Sequence, residues 1–180
     1  ANNVREFFPE TWIFETIDMK KEEVFNFQKK VPDSITSWII TAFSMHPTYG
    51  FALTKPIELI VSQEFFMKLS VPSYIKVGEV VKVNVIVFNY LESQNSITGG
   101  VTLDVKQEDT YRIVDKTNGG SSCTVSLSPS LTKSIQFSAG YRQSMMLTFN
   151  VQAINIGALT LRFTAVSGSH RDEVHRKITV

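Results

Sequence analysis

Three histidines and a single cysteine are the residues of this 180-residue chain best suited to metal binding or nucleophilic chemistry. His170 and His175 bracket the run "HRDEVH", and two imidazoles with acids between them raise the question of a metal site. On a strand or hairpin, a spacing of five sends the two rings to opposite faces, so a solvated loop is the better reading. His46 precedes Pro47 in what reads as a turn. Cys123 has no second cysteine to pair with inside the chain, and no base lies close in sequence. It reads as a free or structural thiol, or as one half of an external disulfide, rather than as a nucleophile. "NGGSS" at Asn118–Ser122 lacks the strand-to-helix context and the lysine of a phosphate loop. No CxxC pair, EF-hand acid series or nucleophile elbow is present. The chain therefore reads as a non-enzyme, with no catalytic, cofactor-binding or metal-binding residues and no cofactor.

Charge excludes a second group of functions. Eighteen basic residues stand against 17 acidic ones, a formal net charge of +1, which leaves no electrostatic footprint for nucleic acid. The pairs Lys20-Lys21 and Lys29-Lys30 are too short and isolated to change that. No apolar run approaches the roughly 18 residues of a membrane span, no signal-peptide core is visible, and no N-x-S/T acceptor occurs. A composition 43% hydrophobic and 11% aromatic is that of a folded protein.

The elements that would carry any site are strands. Val81, Val83, Val85 and Val87 line one face of a run from Val80 to Tyr90; the other face opens polar at Lys82 and Asn84 and turns apolar at Ile86, Phe88 and Tyr90. Phe65, Met67 and Leu69 alternate with Phe66, Lys68 and Ser70. The same period runs through Val101–Val105, Met145–Ala153 and Leu159–Ala165. Turn signals such as Gly99-Gly100, Asn155-Ile156-Gly157 and Gly168-Ser169 fall between the runs. With no convincing 3.6-residue apolar face, little helix is expected. The fold class is all-β, an antiparallel β-sandwich, with seven to nine strands between Glu64 and Val180.

Residues 1–62 are different. Four strands are expected: Thr11–Asp18, Glu23–Val31, Ser37–Met45 and Pro56–Ser62. The third, "SWIITAFSM", is apolar on both faces, as a central buried strand would be. Four strands with a doubly buried member cannot close a two-layer core unaided. The opening "VREFFPETWIF" adds Phe7, Phe8 and Trp12, more apolar surface than the start of a domain can ordinarily cover.

Three motifs carry a resemblance. "VREFFPETWIF" (Val4–Phe14) is similar to the V/I-R-x-x-F-P-E-T/S-W-x-W pattern of the α2-macroglobulin and complement family of thioester-containing proteins. "VPDSITSWIITAFSM" (Val31–Met45) looks like that family's P-D-S/T-I-T-x-W run. "SQEFFMKLSVPSYIKVGEVVKVNVIVFNYLE" (Ser62–Glu92) resembles its Q-x-F-F…N-Y-L run. Phe14 stands where a second tryptophan is common, and Lys76-Val77-Gly78-Glu79 replaces the usual Arg-Gly-Glu, without loss of an apolar position. The text is most similar to arthropod thioester-containing or macroglobulin-complement-related proteins.

The resemblance implies macroglobulin domains, fibronectin-like sandwiches, one partial and one complete. Residues 1–62 would be the C-terminal half of a split sixth domain and residues 63–180 a complete seventh. It implies a secreted, non-catalytic scaffold in innate immunity, by opsonisation or protease trapping, lying just after an activating cleavage region. The partners implied are an upstream polypeptide of the same parent, neighbouring macroglobulin domains, and proteases or microbial surfaces met through the parent. The domain-interface candidates are Phe7, Phe8, Trp12, Trp38, Phe65 and Phe66, with Cys123 a candidate for an external disulfide. Without the resemblance, the residues alone fit equally a tandem β-sandwich of an adhesion or receptor ectodomain.

Overall fold

The computed structural model describes residues 4–20, 24–106, 111–116, 125–126 and 132–180, and every regular element among them is a strand. The chain divides into a smaller unit, Phe7–Gln63, and a larger one made of Glu64–Val180 together with residues 4–6.

The first strand, β1 (Val4–Arg5), belongs to the larger unit. The smaller unit holds β2 (Thr36–Ile40), β3 (Phe43–His46), β4 (Gly50–Leu53) and β5 (Ile57–Val61). β2 pairs with β5, and β3 with β4, each antiparallel and each a sheet of two strands. Two expectations fail here. The described residues of Thr11–Asp18 and Glu23–Val31 form no strand, and "SWIITAFSM" is not one central buried strand. It breaks at Thr41-Ala42, where Ala42 and Thr54 exchange hydrogen bonds, into β2 and β3. A strand exists only where neighbours take its amide and carbonyl groups, and within this unit each of the four has one ladder partner.

The larger unit continues with β6 (Phe65–Ser70), β7 (Val80–Asn89), β8 (Ser96–Asp104), β9 (Tyr111–Ile113), β10 (Asp115–Lys116), β11 (Val125–Ser126), β12 (Thr132–Gly140), β13 (Gln143–Ala153), β14 (Ala158–Ser167) and β15 (His170–Thr179). Two sheets dominate, one in the order β6-β7-β13-β9 and the other β1-β15-β14-β8-β12; β10 and β11 form a two-stranded ribbon. Every ladder between them is antiparallel except β1 on β15. The sandwich read from the alternation is the sandwich observed.

The valine stripe explains the packing. Val83, Val85 and Val87 are fully buried, as are two residues of β13, Phe149 opposite Val83 and Val151 opposite Val81. The second sheet contributes Val101, Leu103, Leu161, Phe163, Ala165 and Val174. Each large apolar side chain so buried stabilises by about 1.5–3 kcal/mol. Asn89 is a polar residue of this core: it donates through Nδ2 to Ala139 O (3.1 Å) and accepts at Oδ1 from Leu91 N (3.1 Å). Satisfied on both sides, it joins the end of β7 to β12 without the cost of an orphaned buried amide.

Candidate functional site

The smaller unit has a surface in place of a core. Pro32 is its one buried residue among those described. The β3–β4 register sets Phe43 opposite Leu53 and Met45 opposite Phe51, so all four side chains share one face of the hairpin. That face is open: Phe43 is 68% exposed, Met45 78%, Phe51 65% and Leu53 66%. Four large apolar side chains at such exposure approach the patch size, about 300–600 Å², that marks an interaction surface on soluble proteins. The other sheet repeats the pattern, with Ile39 and Ile60 exposed on one face and Ile57 on the other.

Trp12 and Trp38 meet, their ring centroids 5.8 Å apart and tilted by 57°. Trp12 Nε1 donates to Lys30 O (3.1 Å), which ties two irregular segments together. Trp38 Nε1 is buried with no hydrogen-bond partner among the described residues. Phe7 donates its amide to Asp33 Oδ2 and accepts from the Asp33 amide, while its ring stays exposed; Phe8 is half-buried.

The remaining interface candidates lie in the larger unit and part company. Phe65 is corrected by the structure: it is a core residue, stacked on Phe137 (6.3 Å) and near His170 (6.4 Å). The reason is parity, since β6 turns Phe65 and Met67 inward together. Phe66 faces outward and stacks on Phe88 (4.7 Å, 12°) and Tyr90 (6.1 Å, 7°). Cys123 and "NGGSS" lie outside the described residues.

The histidines form no common site. His170 and His175 sit at the odd spacing on β15 that separates faces, His170 toward Phe65 and His175 toward Glu173 (Nε2 to Oε1, 3.1 Å). The Arg171 guanidinium, 2.8 Å from Glu173, holds that carboxyl below its ordinary value of 4.5; partial burial opposes this and His175 adds to it. His46 closes β3, its Nδ1 accepting from the amides of Thr48 and Tyr49 to cap the turn. Among the described residues no group of three or more His, Cys, Asp or Glu could hold a metal ion. Among the described residues no helix is long and apolar enough to cross a membrane.

One pair escaped the reading of the sequence. Arg5 grips Asp172 with two parallel hydrogen bonds, Nε to Oδ1 (2.8 Å) and Nη2 to Oδ2 (2.6 Å), and both residues are buried. A signal was present: Asp172 has the parity of Val174 and Ile178, so a charge stands at a core position and needs a buried partner.

The sequence is similar to that of known proteins. Residues 11–103 match the Alpha-2-macroglobulin family. The chain is 40% identical over 88 residues to ovostatin of Gallus gallus, which covers 49% of this chain and 6% of ovostatin. It is 30% identical over 115 residues to complement C3 of Eptatretus burgeri, 59% of this chain and 7% of that protein. Over 176 residues, 96% of this chain and 12% of the relative, it is 28% identical to thioester-containing protein 1 allele R1 of Anopheles gambiae. The sequence therefore spans about a tenth or less of the length of these relatives, in keeping with a smaller unit that lacks a core of its own.

Proposed function

We propose that this chain, which belongs to the alpha-2-macroglobulin family, is a non-catalytic scaffold segment of a secreted, complement-like thioester-containing protein that acts in innate immunity by opsonisation or protease trapping. The larger unit serves as a self-sufficient strut, the seventh macroglobulin domain in the family's order. The smaller unit is the C-terminal half of the sixth, placed just after an activating cleavage region. Its missing strands come from an upstream polypeptide of the same parent. The chain itself lacks the family's Gly-Cys-Gly-Glu-Gln thioester motif, so covalent attachment belongs to another part of the parent.

The observation that carries this reading is the hairpin face of Phe43, Met45, Phe51 and Leu53. An amphipathic hairpin that turns its apolar side outward is stable only if another layer covers that side, and sandwich domains supply such a layer as a second sheet. Trp38 Nε1, buried without an acceptor, fits a carbonyl contributed by the same layer.

Limited proteolysis with mass spectrometry tests it, on this chain alone and with the upstream region supplied as a separate polypeptide. The expected result is rapid cutting within Phe7–Gln63 in the chain alone, protection on adding the upstream region, and a larger unit that resists throughout. A smaller unit that resists unaided would favour an ordinary tandem sandwich of an adhesion or receptor ectodomain.

A further inference from the structure

The outer face of the β6-β7-β13-β9 sheet is divided along its length. Parity turns Phe66 of β6, Ile86 and Phe88 of β7 and Met146 of β13 away from the core, and Tyr90, just past the end of β7, joins them. Phe66 lies opposite Phe88, and Met146 opposite Ile86. The three rings are nearly parallel, at 12° for Phe66 and Phe88, 7° for Phe66 and Tyr90, and 8° for Phe88 and Tyr90. Beyond Ile86 the same face turns polar, where Thr148 Oγ1 and Asn84 Oδ1 are bonded (2.9 Å). From strand rise and spacing, the apolar half measures about 13 Å along β7 and about 10 Å across three strands. That is the footprint of about two turns of helix.

Charge on this sheet is one-sided. Its described strands carry Lys68, Lys82 and Arg112 and no acidic residue. Neither lysine pairs with a carboxylate among the described residues. Arg142, at the turn into β13, sets a fourth cation beside the aromatic end: its amide donates to Asn89 O (2.7 Å), and its guanidinium lies 5.2 Å from the centre of the Tyr141 ring. Its φ of +57° is strained for a residue with a Cβ. An acid stands at the same end, Glu64, whose carbonyl accepts from the Tyr90 amide (2.7 Å). The other sheet, by contrast, pairs charges within itself, Arg171 and His175 with Glu173.

We propose that this face is a docking surface for a polypeptide partner: an acidic amphipathic segment whose apolar side chains cover Phe66, Phe88, Tyr90 and Met146 and whose carboxylates meet Lys68 and Arg142. Cross-strand stacking explains Phe66 on Phe88 by itself. It does not account for Tyr90 and Met146, which stay 44% and 60% exposed beside the stack. Aromatic residues, Met and Arg are the types enriched where protein interfaces are most buried. Rings already locked against one another also lose little freedom when a partner covers them. The unbalanced cations select the sign of that partner. A second copy of the same face would bring like charges together. The four cations, spread from one end of β13 to the other, lack the density of an anionic-lipid site. Every group involved lies in the larger unit, so the proposal is independent of the scaffold reading.

Fluorescence anisotropy tests it, with the intact protein that carries this sequence titrated into a labelled peptide of about four helical turns, Leu and Phe on one face and Glu beside them. Lys68→Glu and Tyr90→Ser replace exposed residues, so the melting temperature should hold while each weakens binding about tenfold. Should one variant fail to fold, the other and a peptide with Lys in place of Glu still decide. Equal binding by the wild type and Lys68→Glu, or by the two peptides, would make the contact plain apolar adhesion and overturn the proposal. Absence of binding would overturn it too. So would binding to phosphatidylserine vesicles in place of the acidic peptide, or a dimer that Tyr90→Ser dissolves.

Discussion

Phe149 of β13 and Phe163 of β14 meet edge to face across the sandwich, ring centroids 5.1 Å apart at 70°, and both rings are fully buried. They join the two sheets directly, since β13 lies in one and β14 in the other. Phe163→Ala is expected to cost the larger unit about 3–5 kcal/mol, through lost burial and the cavity left behind. A double-mutant cycle with Phe149→Ala should show coupling of about 0.5–1.5 kcal/mol for the ring pair. Urea denaturation followed by far-ultraviolet circular dichroism measures both; additive losses would mean that the edge-to-face geometry contributes nothing of its own.

The open hairpin face predicts a contrast between two settings. Met45→Lys and Leu53→Lys replace exposed residues, so in this chain alone each should change stability by less than about 0.5 kcal/mol. In the intact protein, where the proposed second layer covers that face, each buries an unpaired charge, and the yield of folded protein should fall sharply. Normal yields for both variants would show that the face stays uncovered.

Gly99 of β8 lies tightly against the backbone of β14. A Cβ there would sit 2.1 Å from the Val166 carbonyl oxygen and 2.8 Å from the Phe137 ring. Backbone cannot yield as a flexible side chain can, so Gly99→Ala should destabilise by about 1–3 kcal/mol. A comparison of melting temperatures with a Gly157→Ala control, where nothing lies within 4 Å but φ is +139°, separates a close approach from backbone strain. In the first case exchange rises locally at Val166 and Phe137; in the second it does not.

Glu173 sets a small acid dependence. Its carboxyl, held below 4.5 by the Arg171 hydrogen bond, stabilises the folded state when ionised. That contribution is fully present above pH 4.5 and is lost as pH falls through the lower folded-state value. The Tm difference between the wild type and Glu173→Gln should therefore be largest near neutral pH and vanish in acid. High salt should shrink it, because the Arg171 partner is exposed to solvent. A difference that grows in acid would have the wrong sign for this account.

Much of the larger unit was legible in the sequence, although Gly99-Gly100, read as a turn, lies inside β8 and the "HRDEVH" run, read as a solvated loop, lies in β15. Val83, Val85 and Val87 alternate with polar neighbours, and a strand with one buried face has no other way to place them. The same parity places His170 and His175 on opposite faces of β15. The smaller unit was legible only in its deficiency. "SWIITAFSM" carries apolar residues on both faces and reads as one buried strand, whereas it is divided between β2 and β3, whose faces are largely exposed. Phe65 and Phe66 show the limit most plainly: adjacent and identical in type, they divide between core and surface according to which of them β6 turns inward.

Local chemistry is written along the chain, so alternation, turn residues and the absence of catalytic spacing determined an all-β sandwich without an enzyme's motifs. Partners distant in sequence are not written there. The meeting of Arg5 with Asp172, 167 residues apart, the loss of Thr11–Asp18 as a strand, and the outward face of the β3–β4 hairpin were decided by tertiary structure. Each depends on which backbone edges and buried charges find a partner in space, and that choice is made only when the sheets come together.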